Sequence, residues 1–541
     1  MKTLTSIIII MVIFGNGNLL PQNSDGISIG DNFRIYPSET TQTEVFLVTH
    51  PTDINTMFGS ANTIRFLPSF FVSEGVYVTT DGGNSWFGSD TCTGEIITFH
   101  GGDPGIAIDK DGRFILTRLG DDFFRGLFSH TSTDLGATWT SQVTISLDEL
   151  ERATVVSDAD PLSNFYGRTY AAWVVLGPPQ NPLYVSYTDD GGSNWSDSIQ
   201  VNSPFQRTAG GEITIGPDGK LYTTWAVLSP ASPFNEIFIG FASSSDGGVN
   251  WTSNESIVPV NGIAGTLTEK QNIRVNGLPR IAVDLSGGTR QGWIYIVTAQ
   301  KNLTPAGTDP DIILYRSSNG GANWSDGIRV NQDGINNGNI QYFPAVHVDH
   351  TGGLNVIYYD DRFTTSDSTG VFLSRSTDGG TTWTDYQVSD HNFRPEPIGG
   401  LGQGYQGDNI DLNSAGNTLW PVWMDNSTGI YQMWTSRIDL SLVSIEEESE
   451  SILPEKYSLK QNYPNPFNPV TVIQWETPES GWYSIKIYDI LGNQVAEPVN
   501  GYFRAGSQQV TIDASDLTSG IYFYTLRTKN FTDTKKMILL R

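Results

Sequence analysis

Seven charged residues stand where a polar turn gives way to a short apolar run: Glu44, Asp103, Glu151, Arg152, Glu212, Arg280 and Asp408, the last preceded by Tyr405. Carboxylates brought together can hold sugar hydroxyls, or work as the acid and base of glycoside hydrolysis. An arginine fork matches a carboxylate in two parallel hydrogen bonds. The same residues have a plainer use. Side chains at crowded strand starts satisfy backbone N–H groups, and charged groups can line a water-filled channel. Either use requires the strand starts to meet in space.

Their meeting is predicted by a repeat. The pattern Ser/Thr-x-Asp-x-Gly-x-x-Trp occurs at Thr79–Trp86, Ser132–Trp139, Thr188–Trp195, Ser244–Trp251, Ser317–Trp324 and Ser376–Trp383. Its fixed residues are Asp81, Asp134, Asp190, Asp246 and Asp378, with Asn319 in the fifth copy, and Trp86, Trp139, Trp195, Trp251, Trp324 and Trp383. Successive tryptophans lie 53, 56, 56, 73 and 59 residues apart, a period that fits one propeller blade. Asp accepts hydrogen bonds from N–H groups just beyond it, and Gly supplies positive φ, so each copy reads as a hairpin turn. These aspartates are expected to be structural. Counting strand openings gives seven units. The seventh, Gly407 to Arg437, has three strands and no motif, and Asn32–Tyr36 could supply its fourth strand and cover the open edge. The expected fold is all-β, a seven-bladed propeller over residues 31–440, with six blades as the alternative. Two long loops, near 261–276 and 302–311, are expected to overhang one face. Trp173, Trp225, Trp293 and Trp423 fall on second strands and read as core.

Composition narrows the partners. The net charge is −27, so nucleic acid and anionic membranes are poor partners. The single cysteine, Cys92, excludes an intrachain disulfide framework. His347 and His350 would face opposite sides of a strand, so no metal site is expected. No organic cofactor is indicated; the mouth carboxylates could bind a calcium ion, without a loop motif to support it. Met1-Lys2 followed by Ile7–Phe14 reads as a signal peptide over residues 1–22. Residues 441–456 contain Ser444-Ile-Glu-Glu-Glu-Ser-Glu-Ser451 and read as an acidic linker. Residues 457–541 read as a small immunoglobulin-like β-sandwich.

The six hairpins resemble the Asp-box, or bacterial neuraminidase repeat, of sialidase-like β-propellers. That resemblance implies three arginines on a substrate carboxylate, a Tyr/Glu nucleophile pair and an Asp acid/base. Phe33-Arg34-Ile35-Tyr36-Pro37 is similar to the family's Tyr/Phe-Arg-Ile-Pro motif with one residue inserted, which makes Arg34 a candidate. Arg280 and Arg362 are the other arginine candidates, with Asp103 and Tyr405 beside them. The sequence alone fixes no Tyr/Glu pair. Residues 457–541 resemble the C-terminal sorting domain of type IX secretion, through Tyr463-Pro-Asn-Pro-Phe-Asn-Pro469, Ile487-Tyr-Asp489 with Gly492, and Ser519-Gly-Ile-Tyr522. This implies a Bacteroidetes-type source, export to the cell surface and removal of the domain on arrival. The expectation is a secreted, monomeric propeller acting on or binding a glycan or glycoprotein. The narrower alternatives are an exo-α-sialidase and a non-catalytic adhesive or protein-binding propeller.

Overall fold

The computed structural model describes residues 27–93, 100–120, 124–177, 180–440, 456–478, 481–503, 506–515 and 517–540. The signal-peptide reading, and the linker reading apart from Lys456, lie outside the described residues. The chain divides into two compact units, meeting in sequence near Leu442.

Among the described residues the first unit has seven antiparallel sheets of four or five strands and one two-stranded sheet. The first strands of the seven are Thr41–Thr49, Gly105–Ile108, Thr154–Ser157, Thr208–Ile215, Arg280–Val283, Gln341–Val348 and Asp411–Ala415, numbered here as sheets 1 to 7. Each first strand touches the first strand of the next sheet, and the seventh touches the first. The ring therefore closes on seven strand starts. Second strands carry the bulk of the core: Trp173, Trp225 and Trp423 have no solvent exposure.

The repeated hairpins join third strands to fourth strands. In sheet 1, Thr79 Oγ1 donates to Asp81 Oδ1 (2.8 Å) and accepts from Gly83 N–H (3.0 Å), while Ser85 N–H donates to Asp81 Oδ1 (2.9 Å). Asn319 does the same work with its amide oxygen, accepting from Asn323 N–H at 3.0 Å. These side chains spend their oxygens on the turn. Hydrogen bonds from Ser85 hold the Asp81 carboxyl down at about 2. The second glycine has two duties. Gly83 has φ +82°, and a Cβ there would lie 2.3 Å from the Trp420 ring of sheet 7. Gly321, at φ +89°, meets Phe241 of sheet 4 at 2.1 Å in the same way.

Sheet 7 takes its fourth strand from the other end of the chain. Ser28–Arg34 pairs antiparallel with Gln432–Asp439. Asn32 then ties this strand to sheet 6: its N–H donates to Asp390 Oδ2 (3.2 Å), and its amide oxygen accepts from Asp390 N–H (2.8 Å). His391 continues the joint, with Nδ1 2.6 Å from Asp390 and Nε2 2.8 Å from the buried Asp425. The Asp425 hydrogen bond, helped by Asp390, raises His391 from 6.5 to about 9. A raised folded-state value means the protonated ring stabilises the fold fully below pH 6.5, and that the contribution fades as pH rises through 9. His391→Gln is expected to melt below wild type at pH 6, with the gap closing by pH 10. A gap independent of pH would remove the imidazolium from the joint.

The second unit holds a three-stranded sheet, Ser458–Leu459, Val470–Thr477 and Gly506–Asp513, and a four-stranded sheet, Gln494–Phe503, Gly481–Tyr488, Gly520–Arg527 and Thr532–Leu539. Alternation along the strands sends Ile473 and Trp475 from one sheet, and Ile485, Ile487, Tyr524, Leu526 and Met537 from the other, into a single core.

Candidate functional site

Three first strands are irregular at the same end. Register shifts fall between Thr43 and Phe46 in sheet 1, Ala209 and Glu212 in sheet 4, and Tyr342 and Ala345 in sheet 6. A bulge adds a residue to one strand and re-aims its side chain. Glu44 and Phe343 sit in these bulges at φ +53° and +50°, and Asp103, just before its strand, is at +55°. Each such non-glycine conformation costs on the order of 1–3 kcal/mol. Tertiary contacts must hold them there.

These re-aimed groups line a cavity of about 590 Å³ at the mouth of the ring. Its wall includes Glu44, Asp103, Glu151, Arg152, Arg280, Tyr405 and Asp408. Glu212 lies lower, in a lumen of about 220 Å³ that shares Arg152 and Arg280 with the mouth. There Glu212 pairs with Arg280 at 3.0 Å and accepts from Ile281 N–H at 2.9 Å. A third cavity of about 390 Å³ adjoins Asp103 and Tyr405 on the side of Ile64, Val72 and Leu401.

Two arginine candidates do not reach the mouth. Arg34 lies on the closing strand opposite Trp434, the outermost strand of sheet 7. Arg362 turns outward to Asp385 on the fourth strand of sheet 6, with Asp360 taking its Nε at 2.8 Å. Its guanidinium is consumed by carboxylates that keep the end of sheet 6 together.

In place of these two stands Arg274, which the sequence reading missed. It is carried by the predicted overhanging loop, where Gly265–Leu267 and Ile273–Val275 form a small hairpin. Arg274 forks onto Asp408, with Nε donating to Oδ1 at 3.0 Å, and its guanidinium lies 5.1 Å from the Tyr405 ring centre. The buried Glu236 steadies the base of the hairpin by accepting from Gly277 N–H at 2.9 Å. The long gap before Trp324 was the only sequence signal for Arg274.

At the centre of the mouth, Tyr405 hydroxyl donates to Glu44 Oε1 at 2.9 Å. The same hydroxyl lies 3.1 Å from Thr43 Oγ1 and accepts from Asn62 Nδ2 at 3.3 Å. Burial, then the charges of Asp103 and Asp408, push Glu44 well above the usual carboxylate range. Burial also raises Asp103, against the pull of Asn62 and Arg152. Both carboxyls therefore hold a proton more firmly than a free carboxylate does. Burial and the Glu44 charge keep Tyr405 a neutral phenol. Arg152 stacks over Phe46 at 4.5 Å, and its buried Nη1 has no hydrogen-bond partner. An unpaired buried donor is costly, so this one offers a ligand a ready bond.

Residues 461–540 match the family profile described as a secretion system C-terminal sorting domain. The chain is a type IX secretion cargo, directed to the cell surface or extracellular space. No curated protein sequence matches the chain. Among solved structures, a protein of unknown function from Dyadobacter fermentans is 12% identical, over 76% of this chain and 99% of its own, with a TM-score of 0.45. A PL25 ulvan lyase bound to a GlcA(1-4)Rha3S saccharide is 9% identical, over 77% and 94%, with a TM-score of 0.48. The leech intramolecular trans-sialidase is 14% identical, over 67% and 70%, with a TM-score of 0.41.

Proposed function

We propose that the chain is a secreted seven-bladed β-propeller with an immunoglobulin-like sorting domain, and that its mouth cleaves an acidic glycan as a sialidase-type glycosidase. The observation that carries this reading is the Tyr405–Glu44 hydrogen bond, 2.9 Å long, with Asp103 linked to the same hydroxyl through the Asn62 amide. Where two carboxylates flank the bond, they stand about 5–5.5 Å apart when one is the nucleophile and about 6.5–9.5 Å apart when one activates water. Tyr405 is the nucleophile here, so Glu44 and Asp103 form one acid–base unit beside it. The unit supplies an acid and a base together. When its proton sits on Asp103, Glu44 is ionised and takes the Tyr405 hydroxyl proton as the phenolic oxygen attacks the anomeric carbon. Asp103 gives its proton to the leaving oxygen. Water then attacks the tyrosyl glycoside, losing a proton to Asp103, while Glu44 returns its proton to Tyr405. Arg152, Arg274 and Arg280 frame the pocket for an anionic substituent.

A binding-only reading draws on a different fact. Arg274 and Arg280 are already paired with Asp408 and Glu212, which leaves Arg152 the arginine with an uncommitted donor among the three. One assay separates the two readings. The secreted protein is offered 4-methylumbelliferyl α-N-acetylneuraminide and the corresponding uronides. Turnover by wild type that is lost in Tyr405→Phe supports the glycosidase. Absence of turnover, with retained acidic-glycan binding that Arg152→Gln abolishes, supports the lectin.

The glycosidase reading fixes a pH profile. Glu44 must be ionised to accept the Tyr405 proton, so the acid limb of kcat/KM lies above the usual carboxylate range. The Arg152 charge lowers both Glu44 and Asp103. Arg152→Gln is therefore expected to move the acid limb to higher pH, and an unmoved or falling limb would separate Arg152 from the dyad.

A further inference from the structure

Asn62 is a half-way residue of a second strand, 4% exposed, opposite Thr43 across sheet 1. Nothing in its sequence neighbourhood singles it out. Its amide touches two of the groups assigned to the reaction. Nδ2 donates to Asp103 Oδ1 at 3.0 Å and to Tyr405 Oη at 3.3 Å. Its Oδ1 accepts from the backbone N–H of Asp103. One amide thus uses both hydrogens and its oxygen on the site.

The surrounding chain is shaped to admit that amide. Gly102 has φ +76°, and a Cβ there would sit 2.6 Å from Asn62 Oδ1 and 2.8 Å from Val72 Cγ1. Glu74, wholly buried, accepts from Gly102 N–H at 2.9 Å and from His100 Nδ1 at 2.7 Å. So Asp103 is held in its left-handed conformation from two sides, by Glu74 through Gly102 and by Asn62 directly. A planar amide is the side chain that can do this. It donates to a carboxylate and a phenol at once, and still accepts from an N–H. A carboxylate at 62 would repel Asp103, and a hydroxyl has one hydrogen to give.

We propose that Asn62 is the positioning residue of the mouth, holding Tyr405 and Asp103 at fixed separation by giving one amide hydrogen to each while gripping the Asp103 backbone. The proposal rests on the glycosidase reading and extends it to a residue whose amide is spent on Tyr405 and Asp103. As the Tyr405 proton leaves for Glu44, the Nδ2–H already aimed at Oη meets the developing negative charge. Nothing has to reorganise. The bond to Asp103 loosens that carboxyl's hold on its proton.

The test uses Asn62→Asp and Asn62→Ala in the full secreted protein. Asn62→Asp keeps size and the acceptor but loses the donors and adds charge. Its kcat is expected to fall about 10²-fold, the scale of a misplaced reacting group, with KM within about twofold. The acid limb of Asn62→Ala, which adds no charge, should move upward, because Asp103 loses the donor that lowers it. A merely structural asparagine would lower Tm and leave the limb in place, and that result overturns the proposal. The ¹³Cζ resonance of Tyr405, assigned by its disappearance in Tyr405→Phe, gives a readout free of turnover. It should shift in both variants; an unshifted resonance overturns the contact itself. Resonances shifted in both variants, with a wild type that hydrolyses no glycoside, would sink the glycosidase reading and keep Asn62 as the residue that positions Tyr405.

Discussion

Tyr405→Phe should lose turnover by about 10³-fold or more, the range expected when the nucleophile and its proton transfer are both removed. The ring is expected to stay in place. It packs against Arg274, whose guanidinium lies 5.1 Å from the ring centre, and the Arg274–Asp408 fork does not depend on the hydroxyl. What disappears is one oxygen with three partners: Glu44, Thr43 and Asn62. Glu44 then loses its donor in a buried site, and its carboxyl should hold a proton more firmly still. Binding of an acidic glycan should persist, since Arg152 is untouched. The decisive comparison is kcat against Kd for the same saccharide. A Phe variant that retains a tenth of wild-type kcat would place the chemistry elsewhere and leave Tyr405 a wall of the pocket.

How much of this site could be read from the chain depends on what the repeat fixes. A motif with a period near 56 residues fixes where each first strand begins, so Glu44, Asp103, Glu151, Arg152, Arg280 and Asp408 could be nominated as neighbours despite lying up to 364 residues apart. The structure brings them to one cavity with Tyr405. Glu212 was nominated on the same grounds but faces the lumen, because the Gly210–Gly211 bulge drops its carboxylate beside Arg280. Arg34 and Arg362 failed for a different reason. A local motif, or proximity to a strand end, says nothing about distance from the ring axis, and both residues lie on or bond to outer strands. Arg274 belongs to an insertion outside the repeat, so no period could locate it. Asn62 lies inside a strand that reads like any other. Its role arises from the αL turn at Gly102–Asp103, 40 residues on, and only the folded chain brings the two together.

The insertion that carries Arg274 raises the second large effect. Its tip is Lys270, which has no solvent exposure and reaches into sheet 6, donating to Asp361 Oδ2 (2.6 Å), Ser366 O (2.6 Å) and Ser368 O (2.8 Å). All three ammonium hydrogens are spent. Asp361 is buried too, and its other oxygen accepts from Ile340 N–H at 2.8 Å. Lys270→Met leaves that carboxylate charged and alone, and should cost about 3–5 kcal/mol of stability by urea unfolding. The loss should reach the mouth as well. Arg274 lies four residues on from Lys270, with its N–H on Gly404 O at 2.7 Å, so a hairpin freed at its tip no longer presents the Arg274–Asp408 fork in one place. Affinity for an acidic glycan should therefore weaken alongside stability, whereas Arg274→Gln should weaken affinity and leave unfolding nearly unchanged. Lys270→Met combined with Asp361→Asn supplies the discriminating case. The amide keeps an acceptor for Ile340 N–H and removes the orphaned charge, so most of the stability should return. The hairpin still lacks its anchor, so affinity should not. Recovery of both together would mean that Lys270 neutralises Asp361 and does nothing for the mouth. Recovery of stability alone would establish the buried lysine as the pin that holds Arg274 over the site.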